Sequence, residues 1–590
     1  LGNKVFLMTT QSQAIEPSQA IDPRPPSLVR AMPLAEEPGI GALSIPGYLR
    51  EVTTRYADNE AVIMRCENGV ERWTYSDLWQ RSMDVAKALI VSGVGKGTRV
   101  GILMTNRPEY LSALFGTAMA GGSFVVLSTF STSAELEHLL AASNISILLY
   151  EDQVLKKDFT AALCELEPTL LGATPGKLGS TKFPYLQHLV CLQGVTAQGP
   201  YEQNSDQIDA VESWDLFLKR GGGISDEIVE ARAATVYPSD PGGLFFSSGT
   251  TSLPKAVLQS QRAFALQFWR WPRLWGITEP ARCWTGNGFF WAGPMTIVVG
   301  NAFSTGGALI LQPLFDADFA LELIAAEKVT LMNGRPHQWA RMQASSGWSA
   351  ADFSTLRYIT KGEIILSHPT AKTGWEMPNA FGTTETMAIL SSFVAGDPAN
   401  ADASNYGQIL PGNIIKVVDP MTGNIVPMGE RGEVCIKGPT LMMGYIGKLP
   451  EDVFDDQGFY RTGDGGHIDP EGHLFWQGRL NDIIKTGGAN VSPQEIDTAI
   501  AACPGVKRTQ TVGVPHETLS EMVVACIVPV DGVTLVEADV ISFVKTRLAS
   551  YKVPRKILFF TEAEYPLTGN EKVKAGDLRE LACKLLGIGS

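Results

Sequence analysis

Hydrophobic and polar positions along this chain follow two textures. In the first, short apolar runs recur: RVGILM at 99–104, SFVVLS at 123–128 and ISILLY at 145–150. Consecutive apolar positions over so few residues suit strands buried on both faces, as in a parallel sheet. Helix-length stretches separate them, Pro108 to Ala120 and Ser133 to Ser143. That alternation predicts βαβ units. It resumes with ALILQPL at 308–314, a helix from Asp318 to Lys328, and VTLMNG at 329–334.

From Gly407 to Glu471 the texture changes to short runs cut by Gly and Pro turns: IIKVVDP, GEVCIKG, GFYRTGD and GHLFWQG. This predicts a small antiparallel or barrel-like subdomain. The last part of the chain carries its own alternation and predicts a small α+β domain. Residues 196–243 are acidic and Gly-rich and read as a surface excursion. Residues 9–34 are rich in Ser, Gln and Pro, with an echo of SQAIEP in SQAIDP, and read as a flexible tail. The expected division is a tail over 1–40, a large α/β domain over 41–480 and a C-terminal domain over 481–590.

Composition narrows the class. At 590 residues several domain-sized units are expected. A formal net charge of −14 opposes non-specific binding to nucleic acid or an anionic membrane, but not capture of a small anion by a local field. The eight cysteines include no C-x-x-C pair, so reduced, buried thiols in a cytoplasmic protein are expected. The seven histidines form no H-x-x-x-H pair, and His467 and His473 flank a predicted turn at Asp469–Gly472. No structural metal site is expected. No apolar run approaches the ~20 residues that span a bilayer.

Five stretches carry candidate chemistry. The first is LFFSSGTTSLPKAV, Leu244 to Val257. It is no Walker A loop, because Pro254 stands where that motif needs a glycine and Ala256 where it needs Ser or Thr. A strand running into Ser247, Ser248, Gly249, Thr250 and Thr251 still offers hydroxyls and backbone N–H groups to a phosphate, with Lys255 as a mobile cation. A Ser/Thr-rich surface turn is the plainer alternative. The second is NAFGTTETM, Asn379 to Met387: Phe381 offers an apolar face to a purine, Thr383 and Thr384 hydroxyls, and Glu385 a hard oxygen for Mg²⁺. An ordinary helix start would also fit.

In the third, GFYRTGDGG, Asp464 could accept two hydrogen bonds from a ribose diol, although T-G-D also suits a hairpin turn. The fourth, GRLNDIIKTGGANVSPQEI, offers Arg479 to a phosphate or hydroxyl and exposes backbone at Gly487-Gly488. Its Ser492-Pro493 has the form of a capped helix start. The fifth, YPLTGNEKVKAGDLR, carries Lys572, by itself a solvated surface charge.

In this order and at these distances, the five stretches resemble the signatures of the adenylate-forming superfamily: acyl-CoA synthetases, firefly-type luciferases and peptide-synthetase adenylation domains. The resemblance spans about residues 45–585. It implies a large N-terminal domain built of subdomains and a small, mobile C-terminal domain. It further implies that Ser247 to Lys255 form the phosphate loop, that Phe381 stacks on adenine beside Gly382 and Thr383, and that Thr384 meets the α-phosphate. Glu385 would hold Mg²⁺, Asp464 the ribose with help from Arg479, and Gly362 would line the adenine and acyl pocket. Asn481 falls at the interdomain hinge, Lys572 on the catalytic lysine, and Lys485, Gly487 and Gly488 beside the incoming CoA. Trp291 takes the place of an aromatic residue, often His, near the acid.

Three departures stand out: Asn481 where Asp or Lys is usual, Glu571 in place of a glycine, and the bulk of Trp291. The implied reaction joins a carboxylic acid to CoA through an acyl-AMP, with ATP converted to AMP and pyrophosphate and Mg²⁺ engaged at the same site. Residues 264–291 are unusually aromatic, which fits either core packing or an apolar pocket for a fatty, aromatic or polycyclic acid. The alternatives are an adenylate-only ligase that loads a carrier protein, and a non-catalytic adenylate-binding relative. The expected location is cytoplasmic, with no nucleic-acid partner and no transmembrane segment, and a homodimer is left open.

Overall fold

In the computed structural model, the residues described are 24–66, 69–192, 209–247, 254–360, 362–480, 484–486, 489–491, 493–516, 519–548, 552–567 and 573–588. The predicted βαβ rhythm builds one eight-stranded sheet. Strands His188–Cys191, Ile147–Tyr150, Arg99–Leu103, Ser123–Val126 and Pro241–Ser247 run parallel in that order. Lys255–Ser260 and then Gly444–Tyr445 add antiparallel strands at one edge. A second sheet places Leu331–Asn333, Arg282–Thr285, Ala308–Leu311 and Glu60–Cys66 in parallel, closed off by the antiparallel Gly69–Thr74.

Local sequence explains the intervening helices. Ser133–Ser143 is held at its start by a capping box, in which Glu135 N–H donates to Thr132 Oγ1 and Thr132 N–H donates to Glu135 Oε2 at 2.7 Å. Pro108 opens Pro108–Met119, where its missing N–H costs nothing. That helix is buried almost all round. It sits in one core that takes Val100 and Ile102 from the first sheet and Val62 and Leu309 from the second.

The Gly/Pro-punctuated region forms an antiparallel sheet of eight strands. Its order is Leu28–Arg30, Ile414–Val418, Gly432–Lys437, Tyr460–Ile468, His473–Arg479, Asn405–Ile409, Ser391–Ser392 and Ala380–Phe381. The antiparallel alternative is thus realised, and the ladder does not close on itself among the described residues. The C-terminal part has strands Ile484–Thr486, Ala489–Val491, Val506–His516, Ser520–Pro529 and Lys556–Phe559, with helices Pro493–Ala501, Glu537–Lys545 and Ala575–Leu585. Its own apolar clusters make it the expected α+β unit.

Two expectations need correction. The stretch 196–243 is no excursion over its described part. Val211–Ser213 pairs parallel with His188–Cys191, and helices Trp214–Arg220 and Asp226–Ala234 bury Phe217 and Val229. The tail reading fails over 24–40 as well. Leu28–Arg30 pairs with 414–416, and Glu37, fully buried, holds Arg270 at 2.8 Å and Arg273 at 2.6 Å. A buried carboxylate satisfied by two guanidinium groups fixes this segment to the large domain, since breaking such a pair strands a charge out of water.

Among the described residues no helix is long and apolar enough to cross a membrane. The cysteines are free thiols, all buried except Cys66.

Asp497 carries one consequence for stability. It faces Thr511 Oγ1 at 2.7 Å from helix Pro493–Ala501, and burial pushes its carboxyl up to about 7. A carboxyl whose folded pKa lies above its unfolded value binds its proton more tightly in the native state. Stability is then fullest below the unfolded pKa and falls as pH rises toward 7. Hydrogen exchange of strand Val506–His516, corrected for intrinsic rates, should show protection falling between about pH 4 and pH 7. Asp497→Asn should flatten that dependence; an unchanged slope would remove Asp497 as its cause.

Candidate active site

The phosphate-loop candidate is closed by an antiparallel pair. Ser247 ends strand Pro241–Ser247 and lies opposite Lys255, the first residue of Lys255–Ser260. Ser248, Gly249, Thr250 and Thr251 lie outside the described residues. The pair sets Ser247 and Lys255 side by side at the strand ends, where α/β sheets hold ligands.

Across from it, Ala380–Phe381 leads into a tight turn. Gly382 is obligatory, because a Cβ there would stand 2.0 Å from the Ala388 carbonyl oxygen. The chain then makes a 3₁₀ turn over Thr384–Thr386, not the start of an α-helix, and leaves it through Met387 and Ala388 with φ of 51° and 78°. Two successive non-glycine residues at positive φ store strain that the surrounding contacts must hold. Those contacts include Gln259 Nε2 to the Thr384 carbonyl at 2.7 Å, the Met442 N–H to the Glu385 carbonyl at 2.7 Å, and Gln267 Nε2 to the Thr386 and Ile389 carbonyls. Thr383 Oγ1 is buried without a hydrogen-bond partner among the described residues.

Glu385 is nearly buried, and its Oε1 accepts from Tyr445 at 2.7 Å. Burial, then the neighbouring Glu385 carboxylate, pushes the Tyr445 hydroxyl well above the usual phenol range, so it stays a donor. No group of three metal-ligating side chains exists among the described residues. A lone carboxylate near the phosphate-loop candidate suits Mg²⁺, which usually takes one or two carboxylates and completes its shell with water and substrate phosphates. The donor set fits that ion and would not make a closed protein cage.

Asp464 lies within strand Tyr460–Ile468, so the hairpin-turn reading of T-G-D fails; the turn is at Asp469–Gly472, as predicted. Gly463, at φ 71°, and the register shift after Asp464 turn this carboxylate inward. Asp464 is 2 % exposed. Arg479 Nε, on the facing strand, and Trp476 Nε1 each reach its Oδ1 at 3.1 Å. Burial raises its pKa against the opposing pull of Arg479. Its Oδ2 is buried with no hydrogen-bond partner among the described residues. A buried acceptor in that state is costly unless a ligand pairs with it, and a diol hydroxyl would do so.

Phe381 is only 7 % exposed, with the half-buried Tyr406 and Trp476 rings each 6.2 Å away. The aromatic wall near the candidate adenine place is therefore shared by three residues. Gly362 stands at φ 87° in the loop before the 3₁₀ turn Ile364–Ser367. Trp291 caps helix Ala292–Phe303, half-buried, 4.7 Å from Phe290 and 6.2 Å from the exposed Phe130. Trp269, Trp271, Trp275 and Trp284 are core, as the plainer reading of the aromatic run expects. Lys485 lies on strand Ile484–Thr486, while Asn481, Gly487, Gly488, Glu571 and Lys572 lie outside the described residues.

The structure thus brings Lys255, Thr384 and Glu385 to one seam and sets Asp464 and Arg479 as a pair on the adjoining sheet. Sequence reasoning missed Tyr445, Tyr460, Gln259 and Trp476. Tyr460 and Trp476 stood in quoted runs, but nothing in their spacing marked them; Tyr445 lay in none.

Comparison with known proteins gives these features a family. The model described as "AMP-binding enzyme" matches residues 49–446, and "AMP-binding enzyme C-terminal domain" matches 495–572. An indoleacetate–CoA ligase of Aromatoleum aromaticum is 31% identical over 508 residues, 85% of this chain and 91% of its own. A mitochondrial medium-chain acyl-CoA ligase of Rattus norvegicus is 28% identical over 546 residues, 89% and 85% of the two chains. Among solved structures, ATP-bound MatB from Rhodopseudomonas palustris aligns with a TM-score of 0.70 at 24% identity, covering 92% of this chain and 99% of its own. An anthranilate CoA ligase in complex with anthranoyl-AMP gives 0.72 at 22% identity, covering 94% and 100%. The chain belongs to the AMP-binding enzyme family and is an AMP-forming acid–thiol ligase of the acyl-CoA synthetase kind.

Proposed function

We propose that this chain condenses a hydrophobic carboxylic acid with ATP to give an acyl-AMP and pyrophosphate, and then passes the acyl group to the thiol of CoA. The observation that carries the nucleotide half is Asp464, a buried carboxylate with one oxygen held by Arg479 and Trp476 and the other unpartnered. Carboxylates resist acylation chemistry because oxide is a poor leaving group. Linking the acid to the α-phosphate replaces oxide by AMP.

In this reading the loop from Ser247 to Lys255 cradles the leaving pyrophosphate, and Thr384 and Lys572 meet the α-phosphate. Mg²⁺, when bound at Glu385, neutralises phosphate charge. Catalysis is then mostly placement and electrostatic stabilisation, as in other transfers at phosphorus. The C-terminal domain over 481–590 turns about Asn481, withdrawing Lys572 and bringing Lys485, Gly487 and Gly488 to the pantetheine arm.

The acid would lie near Trp291, Phe290 and Phe130, where the half-buried Trp291 ends the aromatic run and packs against the buried Phe290 and the exposed Phe130. That environment supports an aromatic or medium-length aliphatic acid, in keeping with indoleacetate and medium-chain acids named for two relatives. The work place is the cytoplasm or an equivalent aqueous compartment.

The test is AMP release over a panel of acids of graded length and ring number, each with and without CoA. Steady turnover should need both a hydrophobic acid and CoA. Full turnover on acetate, or equal rates without CoA, would refute the acid or the acceptor.

A further inference from the structure

Tyr445 lies on a two-residue strand, Gly444–Tyr445, that pairs with the strand leaving the phosphate loop, Val257 opposite Tyr445 and Leu258 opposite Gly444. The flanking residues extend this seam: Met443 N–H donates to the Leu258 carbonyl at 2.8 Å and Ile446 N–H to the Ala256 carbonyl at 2.9 Å. On its other side Met442 N–H binds the Glu385 carbonyl. One short segment therefore ties Lys255 and Glu385 to a common frame, although they stand far apart in sequence.

The Tyr445 side chain does the same by two different faces. Its hydroxyl donates to Glu385 Oε1 at 2.7 Å, and its ring lies 5.2 Å below the Lys255 ammonium. Because its own proton is committed to Glu385, the 2.9 Å contact with Tyr460 must be a donation from Tyr460. Tyr460 is the first residue of the strand that carries Asp464. The two tyrosines thus link the strand of Asp464 to Tyr445, where the connection branches to the Glu385 carboxylate and to Lys255.

We infer that Tyr445, backed by Tyr460, is a positioning residue that aims Glu385 and Lys255 at one Mg²⁺–triphosphate. By occupying Oε1 it directs the remaining oxygen of Glu385 toward the ion. By offering a π face it holds the flexible lysine near the phosphates without neutralising its charge, as a carboxylate would. This rests on the reading of Glu385 and Lys255 given under the proposed function.

Binding of an ATP analogue with a non-cleavable α,β-methylene bridge, measured by calorimetry in EDTA and in Mg²⁺, tests it apart from turnover. Wild-type protein should bind more tightly with Mg²⁺. In Tyr445→Phe that Mg²⁺-dependent gain should shrink about tenfold, the effect of losing a hydrogen bond to a charged group, with affinity in EDTA unchanged. Tyr460→Phe should shrink it less, and Tyr445→Leu, which also loses the ring, should weaken binding in EDTA as well. Melting curves matched to wild type exclude misfolding for the isosteric Tyr→Phe pair.

A wild-type gain in Tyr445→Phe, alongside a lost gain in Glu385→Gln, would overturn the role of Tyr445 while leaving the site intact. An unaltered gain in Glu385→Gln would overturn the Glu385 assignment and the tyrosine's role with it. Equal affinities for Tyr445→Leu and Tyr445→Phe in EDTA would overturn the contact with Lys255.

Discussion

Lys572→Ala should lose acid-dependent adenylation by at least ~10²–10³-fold, the usual effect of deleting one preorganised partner of a developing charge. The reason is electrostatic. Attack of a carboxylate on an α-phosphate brings two anions together, and a lysine between them lowers the barrier only while they meet. Thioester formation from supplied acyl-AMP has no such encounter and should survive nearly intact. Glu571 sharpens the expectation, because a carboxylate beside that lysine opposes the same approach. Glu571→Gly should therefore leave the first half-reaction at least as fast as wild type. Equal loss of both half-reactions in Lys572→Ala would remove the lysine from the chemistry and make its role structural. The half-reactions are separated by pyrophosphate exchange on one side and by CoA consumption from synthetic acyl-AMP on the other.

The second large effect belongs to Asp464. Asp464→Ala should weaken ATP about 10–100-fold, the worth of hydrogen bonds between a carboxylate and two hydroxyls. It also deprives Arg479 and Trp476 of their shared acceptor, so Asp464→Asn is the sharper probe: it keeps the shape and removes the charge. Its pH dependence has a definite sign. Burial raises the folded pKa, so protonation begins above the ordinary aspartate range, and ATP affinity should fall as pH drops through it. The acid limb of affinity should vanish in Asp464→Asn. A 2′,3′-dideoxy nucleotide should lose affinity for wild type and bind the alanine variant about as well as ATP does. Unchanged ATP affinity in either variant would contradict the ribose assignment.

How far the chain could be read in advance depended on how local each cause was. Strands at 99–103, 123–126 and 147–150 were legible because a strand buried on both faces must be apolar at every position. Helix Ser133–Ser143 was legible to the residue, since Thr132 and Glu135 write a capping box into the sequence. Residues 24–40 were misread because what orders them is remote: Glu37 meets Arg270 and Arg273 more than two hundred residues later. The acidic stretch after 208 was misread because its helices turn few large side chains inward, Phe217 among them, and leave a weak apolar period.

The candidate site shows the same divide. Glu385 and Asp464 were legible as types in motifs, but the strain at Met387 and Ala388 and the inward turn at Gly463 are tertiary facts. Tyr445 had no local signal at all, since its partners Glu385, Lys255 and Tyr460 come from three other segments. Motifs name the candidate groups for substrate contact; the side chains packed against them come from scattered segments.

One measurement bears most directly on acid activation through an acyl-AMP. Enzyme in excess over ATP labelled at the α-phosphate is mixed with a hydrophobic acid and Mg²⁺, quenched, and resolved by chromatography. Label should accumulate as acyl-AMP without CoA, then move to free AMP once CoA is added, with acyl-CoA formed in equal amount. Label appearing as ADP, or remaining in bound ATP with every acid tried, would contradict the account.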